Sequence, residues 1–255
     1  MEQGECSMAR IYHYTKINTL ELMLQNGTIR LNALKNMDDL LEGRSQDDFD
    51  FSHYYYASSW TMCGEESIPM WFMYTDKMKG VRIEANDNFL SVDADIKDCH
   101  IKNCVDDRVL AFIIHSKDDD GFLVPVEYTE EKPKFLTGHP RGYIAEENYK
   151  IGRVKPMAWA FQKEIRFLLQ GMSMDNIAKF GDTLFQKFMN AAINQYGNDL
   201  EYIDLKFDLR KWKDANFILG PNTSDDDLQK VKNMLSKYIE GFTGCVKKSD
   251  LQIRF

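Results

Sequence analysis

Three separated segments of the chain carry side chains that can take part in binding or catalysis. The first is His13-Tyr14-Thr15, the second is Met70–Tyr74 shortly after Ser58–Thr61, and the third is Gln162–Arg166. A histidine can donate and accept hydrogen bonds, an aromatic face can stack on a flat ring, and a carboxylate can stabilise a developing positive charge. The presence of all three types in one chain makes a shared site a reasonable hypothesis.

Each segment also has a purely structural interpretation. A single histidine in a strand is more often a hydrogen-bonded structural residue, and Trp71 and Tyr74, three residues apart, fit core packing. Glu164 and Arg166 share one face of a strand and most often form a solvated ion pair. Gln162, two residues before Glu164, is predicted to lie on that same face. The combination of segments, rather than any one of them, therefore carries the functional hypothesis.

Short elements are predicted to position these segments. The spacing of Asn18 and Glu21 is that of a capping box and predicts a helix that ends at Asn26-Gly27. A second short helix is predicted at 69–74, with a proline in its first turn, and the acid-rich range 36–50 is predicted to be an exposed loop. Alternating or continuous apolar patterns predict strands at 11–14, 29–31, 54–61, 80–84, 110–115, 123–128, 164–169 and 251–255.

The C-terminal third shows helical periodicity. Apolar residues at steps of three and four predict helices over Ile177–Ala192 and Leu228–Ile239, the second capped by Ser224 and Asp227. Short strands outnumber helices and do not alternate with them, which favours an α+β fold over a doubly wound parallel sheet. Because no repeat or Pro/Ser-rich linker interrupts the chain, we expect one domain over residues 1–255, with 171–255 as its helix-rich extension.

Composition limits the class of protein. The chain has 255 residues, of which 44% are hydrophobic and 13% aromatic, which is enough for a sizeable core. With 40 acidic and 32 basic residues, the net charge of −8 argues against dependence on non-specific phosphate contacts. The sequence has no apolar stretch of the roughly 20 residues that span a bilayer and no secretion signal. We therefore expect a soluble cytoplasmic protein without a membrane partner.

Several reaction classes lack their motifs. The sequence has no phosphate-binding P-loop, no Gly-x-Gly-x-x-Gly turn, no His-Glu-x-x-His and no Gly-x-Ser-x-Gly. Its five cysteines are an odd number and widely scattered, so they do not predict a disulfide framework. Cys99, His100 and Cys104 form the one cluster that could suggest a metal, but no second pair lies at zinc-ligand spacing. No metal is expected.

In their order along the chain, the three segments resemble the ADP-ribosyltransferase superfamily, in its branch with a His, Tyr and Glu site. There the first strand carries His-Gly-Thr/Ser and a late strand carries Gln/Glu-x-Glu. This chain has His13-Tyr14-Thr15, with tyrosine in place of the glycine, and Gln162-Lys163-Glu164. It is also similar to a widespread bacterial family of formally unknown function, grouped with the same fold, that has His-Tyr-Thr, an Asn-Asp-rich loop, Trp-x-x-Tyr and a Gln-x-Glu-x-Arg-like strand. The matching positions run from about residue 10 to residue 170.

The resemblance implies a fold and a reaction. The fold would be α+β, a split β-sandwich of two small sheets with flanking helices. The chain would use NAD as a substrate, without a metal, and cleave its nicotinamide–ribose bond. Glu164 would bond to the ribose 2′-OH and stabilise the oxocarbenium-like centre more strongly than the ground state, and Gln162 would orient the acceptor nucleophile.

The resemblance also implies how NAD would be bound. His13 would hold a ribose hydroxyl, the main chain of Tyr14 would hold the nicotinamide amide, and Thr15 would offer a hydroxyl to the same pocket. Arg166 would pair with a phosphate or keep Glu164 ionised. One aromatic ring would stack on nicotinamide; the candidates are Tyr74, Trp71 and Trp60, with Tyr54, Tyr55 and Tyr56 also available.

The expected function is therefore mono-ADP-ribosyl transfer to a macromolecule, either nucleic acid or protein. Members of the superfamily are often bacterial toxins or anti-phage defence effectors, kept silent by a cognate inhibitor, so such a partner is also expected. A nucleobase acceptor would need local basic contacts. The basic residues before the third segment are Lys132, Lys134, His139 and Arg141, although, taken alone, they are better explained by a solvated loop.

Three alternatives remain from the sequence. The first is an NAD glycohydrolase, in which water is the acceptor. The second is an inactive binding module that uses the C-terminal helices as a partner surface. The third, a metal-dependent nuclease built on Asp38, Asp39 and Glu42, is weak because these carboxylates lie in a segment predicted to be solvated.

Overall fold

A computed structural model of the chain confirms the α+β class, with many short strands and few helices. It describes residues 9–92, 94–95, 100–113, 122–133, 136–139, 142–145, 148–174, 190, 194 and 198–254. Within these ranges no helix has the length and apolar character of a membrane-spanning segment.

Helices are few within the described ranges. The α-helices are α1 (Ile17–Asn26), α2 (Ile68–Tyr74) and α3 (Asp225–Tyr238). Short 3-10 helices cover Leu34–Asn36, Asn148–Lys150, Met157–Gln162 and Leu209–Trp212.

Most of the described strands are short. They are β1 (Arg10–Thr15), β2 (Thr28–Ala33), β3 (Tyr55–Thr61), β4 (Val81–Asn86), β5 (Ala94–Asp95), β6 (His100–Ile101), β7 (Val109–Phe112), β8 (Leu123–Pro125), β9 (Glu127–Tyr128), β10 (Leu136–His139), β11 (Gly142–Ala145), β12 (Val154–Lys155), β13 (Glu164–Ser173), β14 (Tyr202–Lys206), β15 (Asn216–Leu219) and β16 (Val246–Lys248).

The chain divides into two compact units. The first unit comprises Met1–Thr28, Trp60–Ser91 and Phe207–Phe255, and the second comprises Ile29–Ser59 and Val92–Lys206. Both units are therefore built from segments that are distant in sequence, and β3 passes from the second into the first after Ser59.

The first unit contains an antiparallel pair that carries the first predicted segment. All six residues of β1 pair with β4, from Arg10 opposite Asn86 to Thr15 opposite Val81. On the far side of β4 follow β15, antiparallel, and β16, parallel to β15. Because neighbouring strands hold both flanks of β4, its backbone groups are paired on either side.

In the second unit, β13 is the longest described strand and the centre of the sheet. It pairs with β3, β7 and β8, and β2 joins β3 to β14. Eight of its ten residues are buried, and the other two, Ile165 and Ser173, are half-buried. The adjacent core is aromatic, with Phe51, Tyr54 and Tyr55 against Leu110, Leu168 and Met172. Glu164, the first residue of β13, is thus anchored to the most enclosed strand of the unit.

Several sequence expectations are confirmed and others are wrong. The strands predicted at 11–14, 29–31, 54–61, 80–84 and 164–169 are present, and α2 and α3 lie where they were predicted. The predicted strand at 123–128 is split into β8 and β9, and 251–254 form no strand. The helix predicted over Ile177–Ala192 lies outside the described residues.

The capping-box prediction for α1 is also wrong. The helix begins at Ile17, with Lys16 at the N-cap and no side-chain cap, so Asn18 lies inside it. Thr15 is still paired to β4, which leaves one residue between strand and helix. The helix ends as predicted, with Gly27 in the left-handed conformation at φ 60° and its N–H donating to the Met23 carbonyl.

Candidate active site

Glu164 lies in a closed ring of four alternating charges inside the second unit. Its Oε1 accepts a hydrogen bond from Arg166 Nε at 2.8 Å, and its Oε2 accepts one from Lys155 Nζ at 2.9 Å. Glu42 closes the ring, since one of its oxygens pairs with Arg166 Nη1 and the other lies 3.6 Å from Lys155 Nζ. We call these four residues the charge ring. Each of its side chains is at most 6% exposed.

The ring keeps Glu164 ionised. Burial alone would raise the pKa of this carboxyl group, but the charges of Arg166 and Lys155, with hydrogen bonds from Arg166 and Ser59, hold it at about 2. The same pairing raises the pKa of Arg166 above its ordinary value, against the effect of burial. The ring carries two positive and two negative charges, so the interior remains neutral while a full carboxylate is present at neutral pH.

Local backbone structure directs Glu164 and Gln162 towards the same cation. A 3-10 helix ends at Gln162, Lys163 adopts a left-handed conformation at φ 43°, and β13 then begins. The sequence predicted that Gln162 would share a strand face with Glu164, and this is wrong because Gln162 belongs to the 3-10 helix and not to β13. It nevertheless reaches Lys155, whose Nζ donates to its Oε1 at 3.1 Å. Lys155 thus holds both predicted catalytic residues.

Arg166 takes the second of the two roles expected for it. Its side chain is fully buried and binds Glu164, Glu42 and the Gly152 carbonyl. It is therefore a partner of the carboxylate, and its burial argues against a direct contact with a phosphate.

Two members of the ring, Glu42 and Lys155, were not predicted from the sequence to lie beside Glu164. Glu42 belongs to the acid-rich segment predicted to be solvated, yet its side chain is fully enclosed, and Asp39 in the same segment is only 9% exposed. The solvated-loop prediction is therefore wrong at these two positions. Lys155 was not singled out, although it precedes a proline and a 3-10 helix that contains Trp159. The Nζ of Lys155 lies 5.2 Å from the ring centre of Trp159.

In the first unit, the structure brings His13 together with Trp60. Their ring centres are 4.9 Å apart, and Trp60 also packs on Phe89 at 5.0 Å. His13 is half-buried and Thr15 is 6% exposed. With Trp60 only 2% exposed, its ring faces are largely occupied by protein side chains.

Tyr14 and Trp71 form a second aromatic contact in this unit. Their rings meet edge to face at 4.8 Å, the Tyr14 hydroxyl accepts from the Ser67 N–H, and the Trp71 indole donates to Glu66. Tyr14, at the position where the motif of the ADP-ribosyltransferase superfamily has glycine, is thus accommodated in a core cluster. Trp71 is fully buried, whereas Tyr74 packs at the edge of this cluster and is half-buried. Of the three aromatic candidates, Tyr74 has the most accessible ring.

The tyrosines of β3 and its approach are core residues. Tyr54, Tyr55 and Tyr56 are each at most 1% exposed, and burial raises the pKa of Tyr54 to about 12. Tyr56 donates to two main-chain carbonyls, of His53 and Leu200. These side chains support β13 from the neighbouring strand and are enclosed by protein.

Few of the residues considered for a metal cluster or for a basic patch lie in the described part of the chain. In that part of the chain no group of three or more His, Cys, Asp or Glu side chains could hold a metal ion, and Cys99 lies outside it. Of the four basic candidates, Lys134 and Arg141 lie outside it too, and His139 is known only as a residue of β10. Lys132 is exposed and lines a pocket beside Lys155.

Comparison with protein-family models, with curated proteins and with solved structures gives no significant match for this chain. The charge ring of the second unit and the aromatic contacts of the first are therefore the observations from which a function must be argued.

Proposed function

We propose that this chain is an NAD-dependent mono-ADP-ribosyltransferase whose essential carboxylate is Glu164. The observation that carries the proposal is that Glu164 is held ionised and in one position by two cations, one of which also binds Gln162. The resemblance of the sequence segments supplies the reaction. The finer fold expectation, a split β-sandwich of two small sheets, is part of the same proposal.

The reaction needs a fixed negative charge beside the ribose. When the nicotinamide–ribose bond breaks, nicotinamide leaves with the bonding electrons and the ribose C1 becomes oxocarbenium-like. The acceptor nucleophile then bonds to C1 and loses a proton. A carboxylate already oriented by Arg166 and Lys155 stabilises this charge without reorganising, which lowers the barrier more than it strengthens substrate binding.

Other residues would bind and orient the reactants. Gln162, fixed by Lys155, would position the acceptor, and Tyr74, whose ring is the most accessible of the three aromatic candidates, would stack on nicotinamide. His13, with the main chain of Tyr14 and the hydroxyl of Thr15, would hold ribose and the amide. The acceptor would be a nucleic acid or a protein, and a toxin or anti-phage effector with a cognate inhibitor is the corresponding biological role.

The charge ring offers a matched pair of variants for the test. Glu164→Gln and Glu42→Gln each remove one of its two negative charges from a side chain that is at most 3% exposed. Both are expected to lower the free energy of unfolding. Only Glu164→Gln is expected to lower the rate per folded molecule by at least about 100-fold, as when one transition-state stabiliser is lost.

The measurement uses NAD labelled in the adenylate, incubated with each purified protein and a bacterial lysate. Product is treated with protease or with nuclease to identify the acceptor, and the folded fraction is measured by circular dichroism. Label that remains on a macromolecule with wild type and Glu42→Gln, but not with Glu164→Gln, supports the proposal. Equal losses in the two variants, in proportion to their folded fractions, would contradict it.

A second candidate function is a binding protein without catalysis. Both Glu164 oxygens are engaged by cations, and Trp60 and Trp71 are covered, which is the arrangement expected of structural residues. Under this hypothesis NAD stays intact with wild-type protein. Free ADP-ribose without labelled macromolecule would instead indicate NAD hydrolysis.

A further inference from the structure

A small pocket adjoins the charge ring in the second unit. Its volume is about 120 Å³, and its lining includes Asp39, Gly43, Arg44, Lys132, Gly152 and Lys155. An apolar cavity of about 150 Å³ holds a benzene molecule. The pocket is somewhat smaller than that cavity, so it has room for at most one ring-sized group and is too small for a whole dinucleotide.

The pocket and the charge ring are built on the same two backbone segments. The segment 39–44 gives Asp39 and Arg44 to the pocket and Glu42 to the ring, and its Glu42 N–H donates to the Asp39 carbonyl at 3.1 Å. The segment 150–156 lines the other side and gives Lys155 to both. A group bound in the pocket would consequently lie next to the cation that holds Glu164.

The interior of the pocket offers an unused acceptor. Asp39 is 9% exposed; its Oδ1 accepts from the Leu41 N–H at 3.0 Å, and its Oδ2 is buried without a hydrogen-bond partner. A buried carboxylate oxygen without a donor is destabilising. A ligand hydroxyl that donates to Asp39 would remove that cost, and hydroxyls can also accept from an ammonium group such as that of Lys155.

The rim of the pocket carries charges of both signs, with Arg44, Lys132 and Lys150 against the carboxylates of Glu130 and Glu131. Arg44 and Lys132 are exposed and also line a neighbouring pocket of about 260 Å³. Arg44 forms an ion pair with Asp50 at 3.4 Å, and its side chain is half-exposed, so this pair is weak enough to exchange for a ligand. Guanidinium and ammonium groups are the usual partners of phosphate oxygens.

We propose that this pocket binds the phosphorylated ribose of a nucleotide, with the sugar against Asp39 and the phosphate at Arg44 and Lys132. The Asp39 carboxylate inside would repel a buried phosphate, whereas the three cations of the rim outnumber its two carboxylates, so the two ends of the ligand are ordered. The ribose phosphates of NAD and of a mononucleotide share this chemistry. If the ligand is NAD, the pocket is a subsite of the proposed transferase, and the inference then rests on that proposed function.

The test is calorimetric titration of the whole protein with ribose 5-phosphate, inorganic phosphate and ribose. We expect ribose 5-phosphate to bind at least about tenfold more tightly than phosphate, since the hydroxyl contacts add to a charge-assisted one. Asp39→Asn and Lys132→Gln should each weaken the binding of ribose 5-phosphate about tenfold. The control is Lys206, an exposed lysine of the same unit that does not line the pocket, and Lys206→Gln should leave the affinity for ribose 5-phosphate unchanged.

Two results would overturn the proposal. One is equal affinity for phosphate and ribose 5-phosphate, or no binding of either at millimolar concentration. The other is an affinity that Lys132→Gln leaves unaltered. Lys132 is exposed, so this variant remains folded even if Asp39→Asn does not.

Competition separates the two sources of the ligand and the two proposals. Displacement of ribose 5-phosphate by NAD at lower concentration than by AMP assigns the pocket to NAD, and the reverse assigns it to a mononucleotide. If NAD is never consumed but binding still depends on Asp39 and Lys132, the transferase proposal fails and the pocket stands. If Glu164-dependent NAD consumption occurs while both pocket variants bind normally, only the pocket proposal fails.

Discussion

At the scale of single residues, the most informative feature is that the charge ring is complete. Each of its charges has two opposite partners, and the ring is shielded from solvent. Such rings are weak evidence for net stability, but removing one member leaves the others buried and unpaired. Replacing Arg166 should therefore lower the free energy of unfolding far more than replacing an exposed arginine.

Arg166→Met is expected to lower the free energy of unfolding by about 3–5 kcal/mol, because it leaves Glu42 and Glu164 with Lys155 as their one remaining cation. Arg30 is the control within the same unit, since it also binds a carboxylate through two nitrogens, at 2.8 Å each to Asp204, but is half-exposed. Arg30→Met should cost about 1 kcal/mol or less. Urea unfolding at pH 7 measures the free energy of unfolding of both variants. Equal decreases for Arg166→Met and Arg30→Met would contradict a special role of the ring.

At the scale of elements, the sequence predicted periodic and alternating segments well and loop segments poorly. Strand β1 and helix α3 are local patterns, so their apolar periods suffice to identify them. Glu42 and Lys155 are more than a hundred residues apart in sequence, and their burial depends on the fold that brings them together. An acidic segment is solvated by default, and nothing within 36–50 reveals that cations from elsewhere enclose part of it.

Two similar sequence patterns behave differently at the ends of helices and provide a test. Ser224 accepts from the Asp227 N–H, and the Asp227 carboxylate accepts from the Ser224 N–H at 2.8 Å, which is a complete capping box. Asn18 has the same spacing to Glu21 but lies inside α1. We expect Ser224→Ala to cost about 1 kcal/mol and Asn18→Ala to change stability by less than about 0.5 kcal/mol. Thermal unfolding of both variants measures the difference, and equal effects would show that α1 begins at Asn18 after all.

Backbone conformation around the pocket supplies another element-scale prediction. Gly43 has φ 82°, and a Cβ there would lie 2.8 Å from the Ser52 Cα. Gly43→Ala is therefore strained both by its backbone and by its neighbour, and should cost about 1–3 kcal/mol. Gly64 is the control, since the nearest atom to its Cβ would be the Tyr12 hydroxyl at 3.1 Å, on a side chain that can move. A Gly43→Ala protein as stable as wild type in urea would contradict the left-handed backbone conformation of Gly43 and its close approach to Ser52.

At the scale of the whole molecule, composition predicted a folded, acidic protein, and the order of the predicted strands and helices indicated an α+β fold. The division into two discontinuous units was not predicted. Both units are assembled from segments separated by insertions, so no break in composition marks their boundary. The residues of the sequence motifs divide accordingly, with His13 and Tyr74 in the first unit and Glu164 in the second. Sequence order alone does not reveal such a division, because each unit joins segments that are distant from one another in the chain.

The acid stability of the molecule follows from its carboxyl groups. The pKa of Glu164 is about 2 in the folded protein, below the ordinary value of 4.5, so its stabilising contribution is present above about pH 4.5 and is lost as the pH falls towards 2. The pKa of Asp227 is lowered by hydrogen bonding to the Ser224 main chain, and the pKa values of Asp106 and Asp208 are lowered by neighbouring arginines, so these act in the same direction. Wild type should therefore lose stability to urea between pH 5 and pH 3, with roughly 3 kcal/mol of the free energy of unfolding tied to Glu164 over the whole range from pH 4.5 to pH 2.

The variant Glu164→Gln has no carboxyl group to protonate at position 164. Its free energy of unfolding should therefore be lower than that of wild type at pH 6 and should fall less steeply on acidification. If the free energy of unfolding of Glu164→Gln fell with pH as steeply as that of wild type, Glu164 would not be the buried carboxylate that responds to acid.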